Sequence, residues 1–213
     1  FVTVDTASGA ITLIANAPNS LGEGFTSLDY DSTTGNLYAS SGVCNSVSHL
    51  WTVNPATGAS TLVGEITGAT CIVAIAVSPD GLMYGIDIVS DSLHAIDKTT
   101  GAASVIGSIG FNANYAQDMT FDQATGVLYF AGFDGGAFTD RIYTVDLATG
   151  ATTSLGDIGA GLAEVDAMAI MTAGGPCSQP ADLPWLSISP ASGTTAPGGS
   201  TPLTLSIDPG AAN

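Results

Sequence analysis

Short runs of alternating apolar and polar residues, separated by small-residue turns, recur along the first 172 residues of the chain. Period-two alternation over so few residues predicts half-buried β-strands, and no stretch carries a sustained helical period. The runs are copies of one another. Val2–Gly9, Trp51–Gly58, His94–Gly101 and Tyr143–Gly150 each read x-x-[Val/Ile]-[Asp/Asn]-x-x-[Thr/Ser]-Gly, followed by Ala and a second apolar run. Their glycines are 49, 43 and 49 residues apart. Between them lies a second motif, in Leu28–Tyr38, Ile75–Tyr84 and Met119–Tyr129, and a fourth copy begins at Met168-Ala169-Ile170.

Each unit therefore contains four strands. Two of its turns end in Gly, which supplies the positive φ that tight turns need, and an Asp, Asn, Ser or Thr can hold the turn by bonding nearby backbone. A four-stranded unit of this length has the period of a β-propeller blade. The motifs resemble the propeller-like repeats of secreted bacterial proteins, with their Leu-Tyr-x-[Val/Ile]-Asp-x-x-Thr-Gly consensus. The resemblance covers roughly residues 1–172 and implies architecture, not activity. By this analogy inner strands fall at 25–30, 72–77, 117–122 and 165–171, and second strands at 36–40, 82–87 and 127–132. Third strands fall at 1–5, 50–54, 93–97 and 142–146, and outer strands at 11–15, 60–64, 103–107 and 152–156. Three blades are complete and one is split or truncated. Either the ends join to close a small ring or further blades precede residue 1; the second is the expectation, because larger rings are commoner.

From Gly174 the texture changes to a Gly/Pro-rich linker, 174–183. Residues 184–213 contain Trp185-Leu186-Ser187-Ile188-Ser189-Pro190, then Ala191-Ser192-Gly193-Thr194 and Pro197-Gly198-Gly199-Ser200. This resembles the opening two strands of a bacterial immunoglobulin-like domain, a sandwich that needs about seven strands. The expected organisation is thus all-β: propeller repeats over 1–173, the linker, and an incomplete Ig-like segment.

Composition narrows the setting. Two Lys+Arg face 19 Asp+Glu, a net charge of −17, which excludes wrapping nucleic acid and disfavours anionic membranes. The longest apolar run, Cys71–Val77, is far too short to span a bilayer. The chain opens directly on a strand, without a signal-peptide pattern, as a processed or trimmed product would. Few lysines, abundant Ser, Thr and Gly, and three scattered cysteines predict an extracellular or cell-surface protein.

No recognised catalytic, metal-binding or phosphate-cradling motif occurs, so no cofactor, metal or catalytic residue is assigned. Asp29-x-Asp31-x-Thr33 superficially resembles the start of a calcium loop, but the Gly and Glu that complete one are missing and it reads as a turn. Cys44 with His49 is the one sequence-near thiol–imidazole pair and carries no catalytic expectation. Asp118, Glu164 and Asp166 sit at inner-strand starts near the channel expected of a propeller; paired carboxylates there could bind a cation or act as acid and base, although solvated rim carboxylates are commoner. The propeller analogy also puts Cys44 and Cys71 in loops on one face. A disulfide between them and a pair of free thiols are both open, and Cys177 is left over.

That face carries all the loops of variable length, including 41–49, 108–116 and 133–141, together with Phe111, Tyr115, Phe133, Phe138 and Arg141. Variable loops on a rigid scaffold are where binding is usually found. The leading expectation is a non-catalytic interaction module of a larger secreted or surface protein, binding protein or glycan there. Two alternatives stand beside it. One is a fibre subunit, self-associating when strands in 178–213 add to the incomplete first blade. The other is a carboxylate-based hydrolase or lyase at the channel mouth.

Overall fold

The computed structural model describes the chain except residues 6, 17–18, 43, 45, 116, 160–164, 171–185, 190–201, 203 and 208–213. The described residues form sixteen strands and no helix. Three four-stranded antiparallel meanders follow one another. The first joins β3 (Phe25–Asp31), β4 (Asn36–Gly42), β5 (Ser48–Val53) and β6 (Ser60–Ile66). The second joins β7 (Ile72–Val77), β8 (Met83–Asp87), β9 (Ser92–Ile96) and β10 (Ala103–Ser108). The third joins β11 (Asp118–Phe121), β12 (Leu128–Asp134), β13 (Thr139–Val145) and β14 (Thr152–Asp157). Ahead of them β1 (Val2–Val4) and β2 (Ile11–Leu13) pair alone. These are propeller-type blades, three whole and one represented by its third and outer strands.

The repeated turns explain the repeated glycines. In the five turns that begin at Asp5, Asn54, Asp97, Asp122 and Asp146, the side-chain carbonyl or carboxylate accepts the N–H two residues on, at 2.7–3.0 Å. The Gly four residues after the Asp or Asn donates to that residue's own carbonyl at 2.7–2.8 Å, with φ between 70° and 83°. Only a residue without Cβ enters that conformation at no cost, which is why each turn ends in Gly.

Blades are held together by layers of apolar side chains between them. Tyr38, Leu50 and Ile66 of the first meander pack on Ile72, Ile75, Met83 and Ile96 of the second. The second packs on the third through Tyr84, Ile86 and Leu93 against Met119, Phe121, Phe130 and Tyr143. Phe1, from the N-terminal pair, packs against Trp51 and Val53. Strand alternation sends one set of side chains forward to the next blade and the other back to the previous one. The indole caught in the layer with Phe1 is paired: Trp51 donates to Ser41 Oγ at 2.6 Å, and Ser41 donates to Glu23 at 2.7 Å. His49 Nδ1 lies 2.9 Å from the same Glu23 oxygen.

Two expectations are corrected. An inner strand is expected over 165–171, but residues 165–170 form no strand, and among the described residues no second strand lies beside them to complete a ladder; residue 171 is outside the described residues. The loop expected over 133–141 is shorter, because β12 and β13 pair as far as Asp134↔Thr139 and leave a four-residue tip.

The chain divides into two compact units, Phe1–Ile170 and Met171–Asn213. In the second, β15 (Leu186–Ser189) pairs antiparallel with β16 (Thr204–Ile207), from Leu186↔Ile207 to Ser189↔Thr204. The tail thus contains the two strands its sequence suggests. Cys177 lies outside the described residues.

Candidate functional site

The inner strands β3, β7 and β11 lie side by side without pairing, so each exposes backbone groups that something else must satisfy. Side chains of the neighbouring blade do so. Thr26 Oγ1 donates to Ile72 O at 2.9 Å, and Ser27 Oγ accepts the Ile75 N–H at 3.1 Å. Asp29 Oδ2 accepts the Val77 N–H at 2.6 Å, while Gln123 Nε2 donates to Val77 O at 2.9 Å. Asp118 Oδ2 accepts the Met168 N–H at 2.8 Å. Ser27 and Asp118 occupy the same position in the first and third repeats, and each accepts the N–H of the equivalent residue in the next inner segment, Ile75 and Met168, so the segment at 165–170 is held as an inner strand is held, despite its irregular backbone.

Ser27 also donates to Asp118 Oδ1 at 3.3 Å, which brings the first and third blades together at the axis. Burial raises the Asp118 carboxyl to about 6, against the backbone bonds from Met168 and Met119 that favour its charged form. Asp29 is likewise raised to about 6, first by burial and then by repulsion from Asp118 and Asp31. Among the described residues no three His, Cys, Asp or Glu side chains are arranged to hold a metal ion.

A cleft of about 530 Å³ opens between the inner-strand starts and the variable loops, lined by Phe25, Thr26, Val73, Asn114, Tyr115 and Asp166, with Cys44 and Ile88. Of the three carboxylates expected at the channel, Asp118 bonds Ser27 and the Met168 N–H and does not line the cleft, Asp166 lines it, and Glu164 is outside the described residues. Cys44 and Cys71 are joined by a disulfide, with their Cα atoms 4.6 Å apart. His94 is buried in β9, its Nδ1 without a hydrogen-bond partner among the described residues.

The five loop-face residues separate. Tyr115 and Phe138 stand 51 % and 62 % exposed, and Phe133 is buried between them. Both rings meet Phe133 edge-on, with centroids 5.3 and 6.0 Å away. Phe111 is not part of the surface patch: it stacks on Tyr143 at 4.7 Å and packs into the core between the second and third blades. Arg141 is engaged by Asp157 at 2.7 Å and Asp134 at 3.5 Å. Tyr115 and Phe138 adopt positive φ, 64° and 55°, a conformation that costs a non-glycine residue on the order of 1 kcal/mol.

Sequence reasoning passed over Ser27 and read Asp29 as part of a turn, whereas Asp29 lies within β3 and the turn begins at Asp31. The signal was present: an acid stands at 29 where the other copies have Ala76, Thr120 and Ala169, and at 118 where they have Ser27, Ala74 and Ala167.

No protein-family model matches the chain, and no curated protein matches it. Solved structures do. A chain of a nidogen/laminin complex is 14 % identical at a TM-score of 0.56, over 76 % of this chain and 59 % of that one. A protein of unknown function from Bacteroides thetaiotaomicron is 11 % identical at a TM-score of 0.51, over 72 % of this chain and 37 % of its own. These neighbours are of β-propeller type, and at such identities the likeness establishes the fold alone. The chain spans less than two thirds of the length of either.

Proposed function

We propose that this chain is a non-catalytic binding module of a secreted or cell-surface protein, and that its ligand sits on the variable-loop face. The observation that carries this reading is the pair Tyr115 and Phe138, two exposed aromatics in strained backbone, seated on the buried Phe133. Exposed rings held rigidly by a packed base lose little entropy on binding, and strained backbone tends to persist where function needs it. The adjoining cleft adds the Asp166 carboxylate and the Asn114 amide as polar partners. Protein loops and glycans both fit such chemistry. The Cys44–Cys71 bridge supports an oxidising, extracellular setting.

The test is binding of the immobilised chain to panels of soluble oligosaccharides and secreted proteins. Tyr115→Ala and Phe138→Ala should each weaken a hit about tenfold or more, with melting unchanged. Unchanged binding in both variants would overturn the reading.

A second reading, a carboxylate-based hydrolase or lyase, is favoured by the neighbouring carboxyls of Asp29 and Asp118, both raised to about 6 by burial. It requires turnover in a hydrolase screen that Asp118→Asn abolishes. The fibre alternative draws on β1, which pairs with β2 alone among the described residues. It requires that deleting 178–213 turn an assembly into a monomer.

A further inference from the structure

The exposed rings of Tyr115 and Phe138 stand among charges of one sign. Both pack on Phe133, so one ligand can reach both. Asp134 follows Phe133 directly, and its Oδ1 accepts the Gly136 and Ala137 N–H groups at 2.8 and 3.1 Å, which shapes the hairpin tip that carries Phe138. Asp91, from the second blade, accepts the Ala113 N–H at 2.8 Å, two residues ahead of Tyr115. Burial raises the Asp91 carboxyl against the pull of that bond, and Asp87 and Asp134 repel its charge further. No counter-ion is to spare. The sequence holds one lysine and one arginine, and each is already taken, Lys98 by Asp31 and Arg141 by Asp157 and Asp134.

The loop that presents Tyr115 is tied down on both sides. The Ile109 N–H donates to Asp91 O at 2.9 Å, Gly135 N–H to Asn112 O at 2.8 Å, and Asn114 N–H to Phe133 O at 3.2 Å. Gln117, 1 % exposed, closes the set: its Nε2 donates to Asn114 O at 2.7 Å and to Phe133 O at 3.3 Å. These ties run from the β8–β9 turn of the second blade to the β12–β13 hairpin of the third, and involve neither end of the array. A loop already ordered in this way brings its ring to a ligand at little further entropic cost.

Charge decides among ligands. A net charge of −17 repels anions and gives a neutral ligand nothing. A cation is drawn in by that field and then held by the ring faces, whose quadrupole attracts ammonium and guanidinium groups. We infer that the Tyr115–Phe138 surface receives a basic segment of a partner protein, with a lysine or arginine side chain laid against the two rings and Asp91 and Asp134 supplying the countercharge. The inference rests on this face as the binding face and names what binds there. Arginine suits it best, because a planar guanidinium stacks on a ring while still donating to a carboxylate.

The test is an NMR shift titration of the full chain with the peptide acetyl-Gly-Arg-Gly-Arg-Gly-amide, beside the same peptide with glutamine for arginine and a set of neutral oligosaccharides. The arginine peptide should bind about tenfold more tightly than the glutamine peptide, and should weaken as salt rises from ~0.05 to ~0.5 M. Tyr115→Ala and Phe138→Ala should each weaken it about tenfold, while Tyr115→Phe, which keeps the ring, should not. Asp91→Asn, whose amide oxygen can still accept the Ala113 N–H, should weaken it roughly threefold. Asp122→Asn makes the same change of charge in the turn at the other end of β11 and β12, where Asn54 shows that an amide holds such a turn, and should leave binding unchanged. Binding of the arginine peptide that survives both alanines, or that falls as far in Asp122→Asn as in Asp91→Asn, is attraction to net charge alone and overturns the inference. A glutamine peptide or oligosaccharide held by both rings as tightly as the arginine peptide overturns the cation and leaves the face as a binding face. Absence of arginine-peptide binding likewise overturns this inference alone, since the reading of the face stands or falls with the panels above.

Discussion

Lys98, in a turn of the second blade, forms an ion pair with Asp31 at the end of the first blade's inner strand, and the Asp31 side chain is wholly buried. Burial alone would raise the Asp31 carboxyl; Lys98 first, then Thr33 and Thr34, hold it well below the usual carboxylate range. The Lys98 ammonium also stands 6.0 Å from the centre of the Tyr38 ring. Removing one partner of a buried pair leaves an uncompensated charge, whereas removing both does not. Lys98→Met should therefore destabilise the chain by about 3 kcal/mol, and adding Asp31→Asn should restore part of the loss. Urea unfolding of the single and double variants measures both; equal stability of Lys98→Met and wild type would remove the pair from the account.

Asp29 and Asp118 make stability rise on mild acidification. Their folded-state values, about 6, lie above the ordinary 3.8, so between these limits the folded state binds more protons than the unfolded one. Stability then falls as pH rises from 4 to 6, by about 1–2 kcal/mol for each group. Asp31 has the opposite sign: its contribution is present above the unfolded value and is lost as pH falls below it. Melting temperature should thus peak near pH 4–5 and decline toward neutrality. In Asp118→Asn the decline should be shallower. A melting temperature that climbs steadily to pH 7 would contradict the assignment.

The Cys44–Cys71 bridge closes a loop of 27 residues in sequence. Chain-entropy reasoning gives such a cross-link about 3 kcal/mol. Reduction, or Cys44→Ser with Cys71→Ser, should lower the unfolding free energy by that order. Intact mass before and after alkylation establishes the bridge, and melting with and without reductant measures its effect.

Gly107 is where a methyl group would be felt most. An alanine Cβ there would sit 2.1 Å from Thr149 O, a backbone atom that cannot step aside, so Gly107→Ala should cost about 2–4 kcal/mol. Gly156→Ala meets nothing and pays only for its φ of 149°, about 1 kcal/mol. Thermal unfolding of the two variants separates a crowded position from an open one.

The strands and turns were legible because period-two alternation and the Asp/Asn-to-Gly turns are local, and local chemistry sets them. The segment at 165–170 misled for the converse reason. Met168-Ala169-Ile170 repeats Leu28-Asp29-Tyr30 in pattern, yet a strand is made by its neighbour, and among the described residues no second strand flanks this segment. The aromatic loop residues were found as a group but not sorted. Whether Phe111 turns into the core against Tyr143 while Tyr115 stays in solvent depends on contacts between blades that no spacing encodes. Asp29 could have been seen as a break in the repeat; its closeness to Asp118 could not.

The sparseness of positive charge bears on how the molecule would endure outside a cell. A protease that cuts after basic residues finds only Lys98 and Arg141 in the whole sequence. Lys98 is clasped by Asp31, and Arg141 lies within β13, paired to β12 and β14 and gripped by Asp134 and Asp157. Digestion by such an enzyme must wait for the blades to open, so its rate should report unfolding of the array and not nicking of loops. Amine-directed labels face a similar scarcity, because Lys98 is the one lysine in the sequence.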